Sequence, residues 1–292
     1  MKKTIHFIGA AAICAVATQL ASAAPLLEET FDYTTGSVDS QNGGTGWGSG
    51  WSVTVPADHA GSAANVTAGS IAFSDYVVAG NKLTVDITPT SFDTTDVARE
   101  VAIGATSGDL WASFLYRRVD TGSNGSRGVE LRVEPVGDPL QMGMSPKGSS
   151  TRGAEIRYDG ADGGTDASTD LQNNEPYLFI ARFADLGQAT GDGATLWGLS
   201  VSDYDAIKSG GITVAELNAN ASIAATDAQS GSDVLNVGDV LNLATFTSQP
   251  ITYEIDEIRY SDTLNDALTI PEPGSFATVL VGALALGLRR RR

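Results

Sequence analysis

Cysteine is all but missing from this 292-residue chain: Cys14 is the only one, and it falls in an apolar run near the N-terminus. A disulfide is therefore excluded, and the body of the chain has no thiolate to serve as nucleophile or metal ligand. Histidine is nearly as scarce, with only His6 and His59. One histidine in the body cannot assemble a His-rich zinc site. His59 lies in Asp58-His59-Ala60 with no G-x-S-x-G elsewhere, so a serine-hydrolase set is lacking. The glycine clusters lack the Lys-Ser/Thr ending of a phosphate-binding loop. Basic side chains are few, 18 against 35 acidic ones, and six of the 18 (Lys2, Lys3 and Arg289 to Arg292) stand at the extreme ends. A body that acidic repels phosphate backbones and anionic headgroups, so no nucleic-acid partner is expected.

The ends differ in kind from the middle. Residues 1–23 have a positive start at Lys2 and Lys3, a mostly apolar stretch from Ile5 to Leu20, and an A-x-A exit at Ala21-Ser22-Ala23. These are the three parts of a secretory signal, cleaved near Ala23, which implies export through the Sec machinery. Residues 270–292 run through Pro271-Glu272-Pro273, an apolar stretch from Phe276 to Leu288, and Arg289, Arg290, Arg291 and Arg292. As a helix that stretch reaches only ~20 Å, short of a hydrocarbon core of ~30 Å. Counted from Pro271 it just spans, with the arginines held on the cytoplasmic side.

Pro271-Glu272-Pro273, the short apolar helix and the arginine cluster together resemble the PEP-CTERM sorting signal of Gram-negative bacteria. That resemblance covers the C-terminal segment with all its parts in order. It implies an exosortase as partner, transient lodging in the inner membrane, cleavage near Pro-Glu-Pro, and a final place at the cell surface or in the extracellular matrix.

Between the ends, residues 24–269 alternate short β-rich runs with clusters of Gly, Asp, Asn and Ser, the texture of an antiparallel sandwich or barrel. About 245 residues suit one large all-β domain. Strands are expected at Leu26 to Tyr33, Trp51 to Val55, Lys82 to Ile87, Leu110 to Val119, Val129 to Val136, Ala154 to Tyr158, Tyr177 to Phe183, Thr195 to Val201 and Ile251 to Tyr260. In the Trp111 run both faces are apolar, as in a strand buried between layers. Helical cues are confined to Ser202 to Leu217, where Thr213 and Glu216 form a capping box. The Glu28 to Tyr33 opening, the Trp111 and Tyr177 strands and the closing Ile255 to Arg259 resemble a concanavalin A-like or LamG-like jelly roll. This implies two packed antiparallel sheets with the first and last strands side by side, a fold used for both glycan binding and hydrolysis.

Four candidate sites arise. Glu254 and Asp256 match the first two positions of the Glu-x-Asp-x-x-Glu strand of laminarinase-like hydrolases, but the third falls on Arg259, which is no proton donor at neutral pH. Catalytic residues are therefore expected to be absent, with Ile255 and Ile258 both core-facing across a β-bulge near Asp256-Glu257. Asp159, Asp162 and Asp166 lie in a glycine-rich acidic loop that could bind Ca2+ through carboxylates; no other cofactor is expected. A carboxylate from Asp32 or Asp256 with a loop carbonyl is another possible calcium set. Trp47 and Trp51 flank glycines in a flexible, surface-like context and could stack on sugars, whereas Trp111 and Trp197 fit the core. Three readings remain: a non-enzymatic surface or matrix protein, a lectin-like module for extracellular polysaccharide, and a divergent glycoside hydrolase.

Overall fold

The computed structural model describes residues 25–76, 78–105, 107–119, 127–134, 140–145, 153–157, 171–188, 193–227 and 234–268. Runs in which every second side chain is apolar become strands because the pleat sends alternate residues to one buried face. The strands are β1 (Leu27–Glu29), β2 (Gly36–Ser37), β3 (Ser52–Thr54), β4 (Ala63–Thr67), β5 (Lys82–Ile87), β6 (Asp93–Glu100), β7 (Gly108–Val119), β8 (Arg127–Glu134), β9 (Leu140–Ser145), β10 (Gly153–Arg157), β11 (Pro176–Leu186), β12 (Ala194–Leu199), β13 (Ile223–Asp227), β14 (Val240–Thr247) and β15 (Ile251–Ser261). Among the described residues, three short α-helices, α1 (Val201–Ile207), α2 (Val214–Asn220) and α3 (Leu264–Leu268), and two single 3₁₀ turns at Ala57–His59 and Lys208–Gly210 complete the set.

Among the described residues, nine strands form one sheet in the order β13-β12-β11-β7-β15-β5-β4-β2, with β1 also on β15. Six form the other, β10-β9-β8-β14-β6-β3. Every strand pair is antiparallel, and the first strand lies beside the last, with Leu27 opposite Tyr260. The protein is an all-β antiparallel sandwich, as the sequence texture implies.

Two apolar layers hold it. Between the sheets, Phe114, Tyr116, Phe179 and Ile255 cluster with Val97, Leu131, Leu241 and Leu243. Outside the larger sheet, Trp111, Leu115, Ile180 and Trp197 are roofed by Ile71, Phe73 and Tyr76 and by Tyr204, Ile207, Leu217 and Leu268 from the helices. β7 is thus apolar on both faces because it has a layer on each side. Trp111 and Trp197 stack at 6.1 Å within the outer layer.

The helices are pinned locally. Thr213 and Glu216 form the expected capping box on α2. On α1 the cap is Ser200, paired with Asp203, two residues before the expected Ser202 start. The expected first strand is shorter: it stops at Glu29, because Phe31 takes a left-handed φ of 51° and its N–H is captured by Glu29 Oε1 at 2.7 Å. Strands β2, β4, β6, β9, β13 and β14 have no counterpart in the sequence reading. In β6 the reason is plain, since its inward positions include Thr95 and Arg99, both 1% exposed.

Candidate functional site

The expected bulge is present, and its position explains its chemistry. On one flank β15 pairs with β5 through Ile255 and with β1 from Ile258 onward. On the other flank, against β7, the register slips between Asp256 and Arg259, and Glu257 takes a φ of 54°. The extra residue lets Ile255 and Ile258 both enter the core. Loop 68–81 joins β5 opposite this point, and the bulge side chains hold it. The Ile71 N–H donates to Asp256 Oδ2 at 2.9 Å, and the Ala79 N–H to Glu257 Oε1 at 2.6 Å. Arg259 donates to the Tyr76 hydroxyl and to Glu28 Oε1, each at 3.0 Å, and pairs with Glu257 Oε2.

All three bulge side chains are buried. Burial pushes the Asp256 carboxyl up to about 8, with the Ile71 and Glu257 N–H groups pulling the other way. It raises Glu257 as well, against the pull of Arg259. Glu254, on the same outer face, is held by Arg117 at 2.5 Å and Lys82 at 3.3 Å. Asp256 and its neighbour Glu257 are anchors that clip a loop down over the outer apolar layer, whereas Glu254 is tied to β5 and β7 by Lys82 and Arg117. Both Asp256 oxygens accept backbone N–H groups.

Trp47 and Trp51 sit in a packed strap, and the expected flexible setting is corrected. Gly44 and Gly46 take φ values of 69° and 82°, and a Cβ on either would come 2.3 Å from a carbonyl oxygen of Glu28 or Leu26. These glycines therefore permit close backbone approach to β1 rather than mobility. Trp51 is 2% exposed and stacks on Phe31 at 5.8 Å. Its indole N–H donates to Glu29 Oε2 at 3.0 Å, so it presents no ring to a ligand. Trp47 is half-buried, donates to the Glu28 carbonyl at 2.9 Å, and carries the Arg99 guanidinium 4.6 Å over its ring. Arg99 itself donates to Glu29, Tyr33, Ser49, Asn42 and Gly43, which uses every N–H of the fork. His59 is buried too, with Nδ1 2.8 Å from Thr95 Oγ1.

The outer face of the six-stranded sheet carries different chemistry. Cross-strand pairing lines up Thr54, Asp96, Ala244, Glu130, Gly143 and Glu155 in one row. The next row holds Ser52, Ala98, Asn242 and Arg132. Their inward neighbours Val97, Leu131, Leu241 and Leu243 belong to the inter-sheet core, which turns these positions outward. Burial deepens along the first row, from exposed Thr54 through half-buried Asp96 to Ala244 at 0%, Glu130 at 5% and Glu155 at 2%. Ala98 and Ala244 keep the floor low between longer side chains.

Arg132 Nε donates to Glu130 Oε2 at 2.6 Å, and its guanidinium lies 4.5 Å from the Phe246 ring centre. Asn242 Nδ2 donates to Asp96 Oδ1 at 3.0 Å. A carboxylate only accepts, so Asp96 fixes which way the amide points. Asn242 Oδ1 is left buried with no hydrogen-bond partner, on a residue 9% exposed. Sequence reasoning missed this face because its residues come from three strands that only register brings together. The outward polar positions Asp96 and Glu100 of β6 were the one available signal.

Among the described residues, no three His, Cys, Asp or Glu side chains are grouped to hold a metal ion. The calcium candidates Asp159, Asp162 and Asp166 lie outside the described residues, as do Ala21, Ala23, Pro271, Glu272, Pro273 and Arg289 to Arg292. No described helix is long and apolar enough to cross a membrane.

No family model matches the chain. No curated protein matches it either. Several solved structures are similar in fold. A cellulose-induced protein, Cip1, aligns at 10% identity and a TM-score of 0.42, covering 73% of this chain and 91% of its own. Lectin II from Ulex europaeus aligns at 10% identity and 0.40, covering 61% and 86%. A glycosyl hydrolase family protein from Mycobacterium fortuitum aligns at 9% identity and 0.42, covering 82% and 100%. Likeness this loose concerns architecture and carries nothing about activity.

Proposed function

We propose that this is an exported cell-surface or matrix protein whose sandwich holds polysaccharide without cleaving it. The observation that carries the reading is the division of labour between the sheets. The carboxylates of β15 are bound to backbone amides and cations of the protein itself. On the six-stranded sheet, Asp96, Glu130 and Asn242 line an outward strip that ends in a buried acceptor with no partner. Strand-borne polar groups of this kind are pre-positioned, as a binding site for a hydroxylated ligand requires. The sequence ends support delivery: a Sec-type leader at residues 1–23 and a PEP-CTERM-like tail at residues 270–292, handled by an exosortase.

Affinity electrophoresis across neutral and charged polysaccharides tests the binding half. Retardation by at least one polymer is expected, and unshifted mobility across the panel ends it. Replacing Pro271, Glu272 and Pro273 with alanine tests the sorting half, with full-length precursor expected to accumulate in the inner membrane. Surface protein that has still lost its tail would refute the assignment.

A further inference from the structure

At its outer end Arg99 meets a reactive pair of residues. Its Nη2 donates to Asn42 Oδ1 at 2.6 Å and to the Gly43 carbonyl at 2.7 Å. A guanidinium only donates, so the side-chain oxygen of Asn42 faces it and the amide nitrogen does not. Asn42 is exposed to water, whereas Arg99 is 1% exposed and pinned by Glu29, Tyr33 and Ser49. Among the described residues the Gly43 N–H has no acceptor. Gly43 can be nothing larger, since a Cβ there would come 2.8 Å from Tyr33 Cε1. An asparagine before glycine is open to attack on its own side-chain carbonyl, because no side chain shields the next backbone nitrogen. Asn81 and Asn218, also held through Oδ1, precede Lys82 and Ala219 and lack that opening.

We infer that Asn42 is a self-modification site, converted to aspartate or isoaspartate with Arg99 as the oxyanion donor. The Gly43 nitrogen gives its proton to water and bonds to Asn42 Cγ. The carbonyl electron pair moves onto Oδ1, where the fixed guanidinium meets the charge. As that pair returns, the Cγ–Nδ2 bond breaks, and the nitrogen takes a proton from water and leaves as ammonia. Water then opens the five-membered imide. Attack at Cγ gives aspartate; attack at the backbone carbonyl gives isoaspartate, with one more atom in the main chain. The aspartate product sets a second carboxylate on Arg99 beside Glu29, a charge-assisted bond in place of a neutral one. The strap that packs Trp47 on β1 therefore changes with the age of the molecule, whatever the sandwich binds.

The test is peptide mapping by mass spectrometry of the full-length chain, incubated at mildly alkaline pH both folded and in urea. A synthetic peptide of residues 39–46, added to each sample, corrects for any direct effect of urea. Asn42 is expected to convert roughly tenfold faster in the folded chain, less than an oxyanion donor gives a fully preorganised site. A folded chain that converts no faster than the unfolded one would overturn the inference. Arg99→Lys keeps a charge but loses the fork. Where circular dichroism shows this variant folded, conversion should fall to the unfolded rate, and an undiminished rate would overturn the part given to Arg99. Should it fail to fold, the comparison of folded chain with urea decides alone. Asn42→Asp, which copies one product, should melt at the same temperature as the parent or higher. A lower melting temperature would overturn the placing of that product on Arg99.

Discussion

Two carboxylate-rich strips lie on opposite sheets of this molecule, and only one looks catalytic in the sequence. Glu254, Asp256 and Glu257 on β15 are saturated by partners within the chain, two of them by backbone amides of a single loop. Asp96, Glu130 and Asn242, spread over β6, β8 and β14, include an acceptor with no donor. The difference teaches that residue type is a poor guide to function and that hydrogen-bond saturation is a better one. A buried carboxylate with its lone pairs taken is part of the frame, whereas an unmatched buried acceptor on an outward face is what the proposed binding role would use.

The sharpest way to break this comparison is to remove the arginine from each strip. Arg259→Leu strands the Glu257 carboxylate in a site where it is 0% exposed. Losing one partner of a buried pair costs about 3–5 kcal/mol, and equilibrium urea unfolding should show a loss of that size. Arg132→Leu should cost less, about 1–3 kcal/mol, because its side chain is 23% exposed, although the Glu130 side chain it leaves is only 6% exposed. Equal losses would mean that the two strips do the same job.

Next in size is a pH effect at Asp256. Its carboxyl is raised from 3.8 to about 8 by burial, so the folded state holds the proton more tightly than the unfolded chain does. The stability from that protonated form is complete below the ordinary carboxylate range and declines as pH rises through about 8. Asp256→Asn cannot ionise. Between pH 5 and pH 8.5 the parent should lose stability more steeply than the variant in paired urea titrations. Parallel curves would show that the two N–H donors to Asp256, rather than burial, govern its ionisation.

Several features of the frame were legible because they are local. Lys82 to Ile87 alternates strictly and forms β5 over those residues. The doubly apolar Trp111 run has a layer on each side, and the odd spacing of Ile255 and Ile258 forces the bulge. What stayed hidden depends on distant partners. β6 reads as polar because Arg99 points inward, and Arg99 tolerates burial only because Glu29, Tyr33 and the 42–49 strap supply its acceptors. The glycines around Trp47 read as slack for the same reason, since nothing in their own sequence shows the Glu28 and Leu26 carbonyls they must clear. The Asp96–Asn242 strip is a product of register, and composition cannot reveal it.

A smaller effect tests Glu254, the residue closest to a hydrolase nucleophile by position. Its partners Arg117 and Lys82 are partly exposed, so Glu254→Gln should cost no more than ~1 kcal/mol. Polysaccharide retardation should be unchanged, since the residue lies on the other sheet. Loss of retardation would move the binding site to β15 and invert the comparison.

The smallest effect separates two grips on loop 68–81. From the sheet side, Asp256 and Glu257 hold the Ile71 and Ala79 amides in a buried setting. From the solvent side, Lys208 on the segment after α1 reaches Asp205 at 2.7 Å, Asp75 at 2.9 Å and Ser74 Oγ at 3.1 Å. These hydrogen bonds lower both aspartate carboxyls and raise the lysine, yet the aspartates are exposed and the lysine partly so, which leaves the pairs screened by solvent. Lys208→Met should therefore leave the melting temperature unmoved. Local opening is a finer probe than global melting. Hydrogen exchange of the amides of Ser74 to Tyr76 should quicken by roughly two- to threefold, the scale of an exposed ion pair, while Ile71 and Ala79 keep their protection. Acceleration at Ile71 and Ala79 to the same degree would mean that the bulge carboxylates do not hold the loop by themselves, and β15 would then lose its standing as the anchored strip.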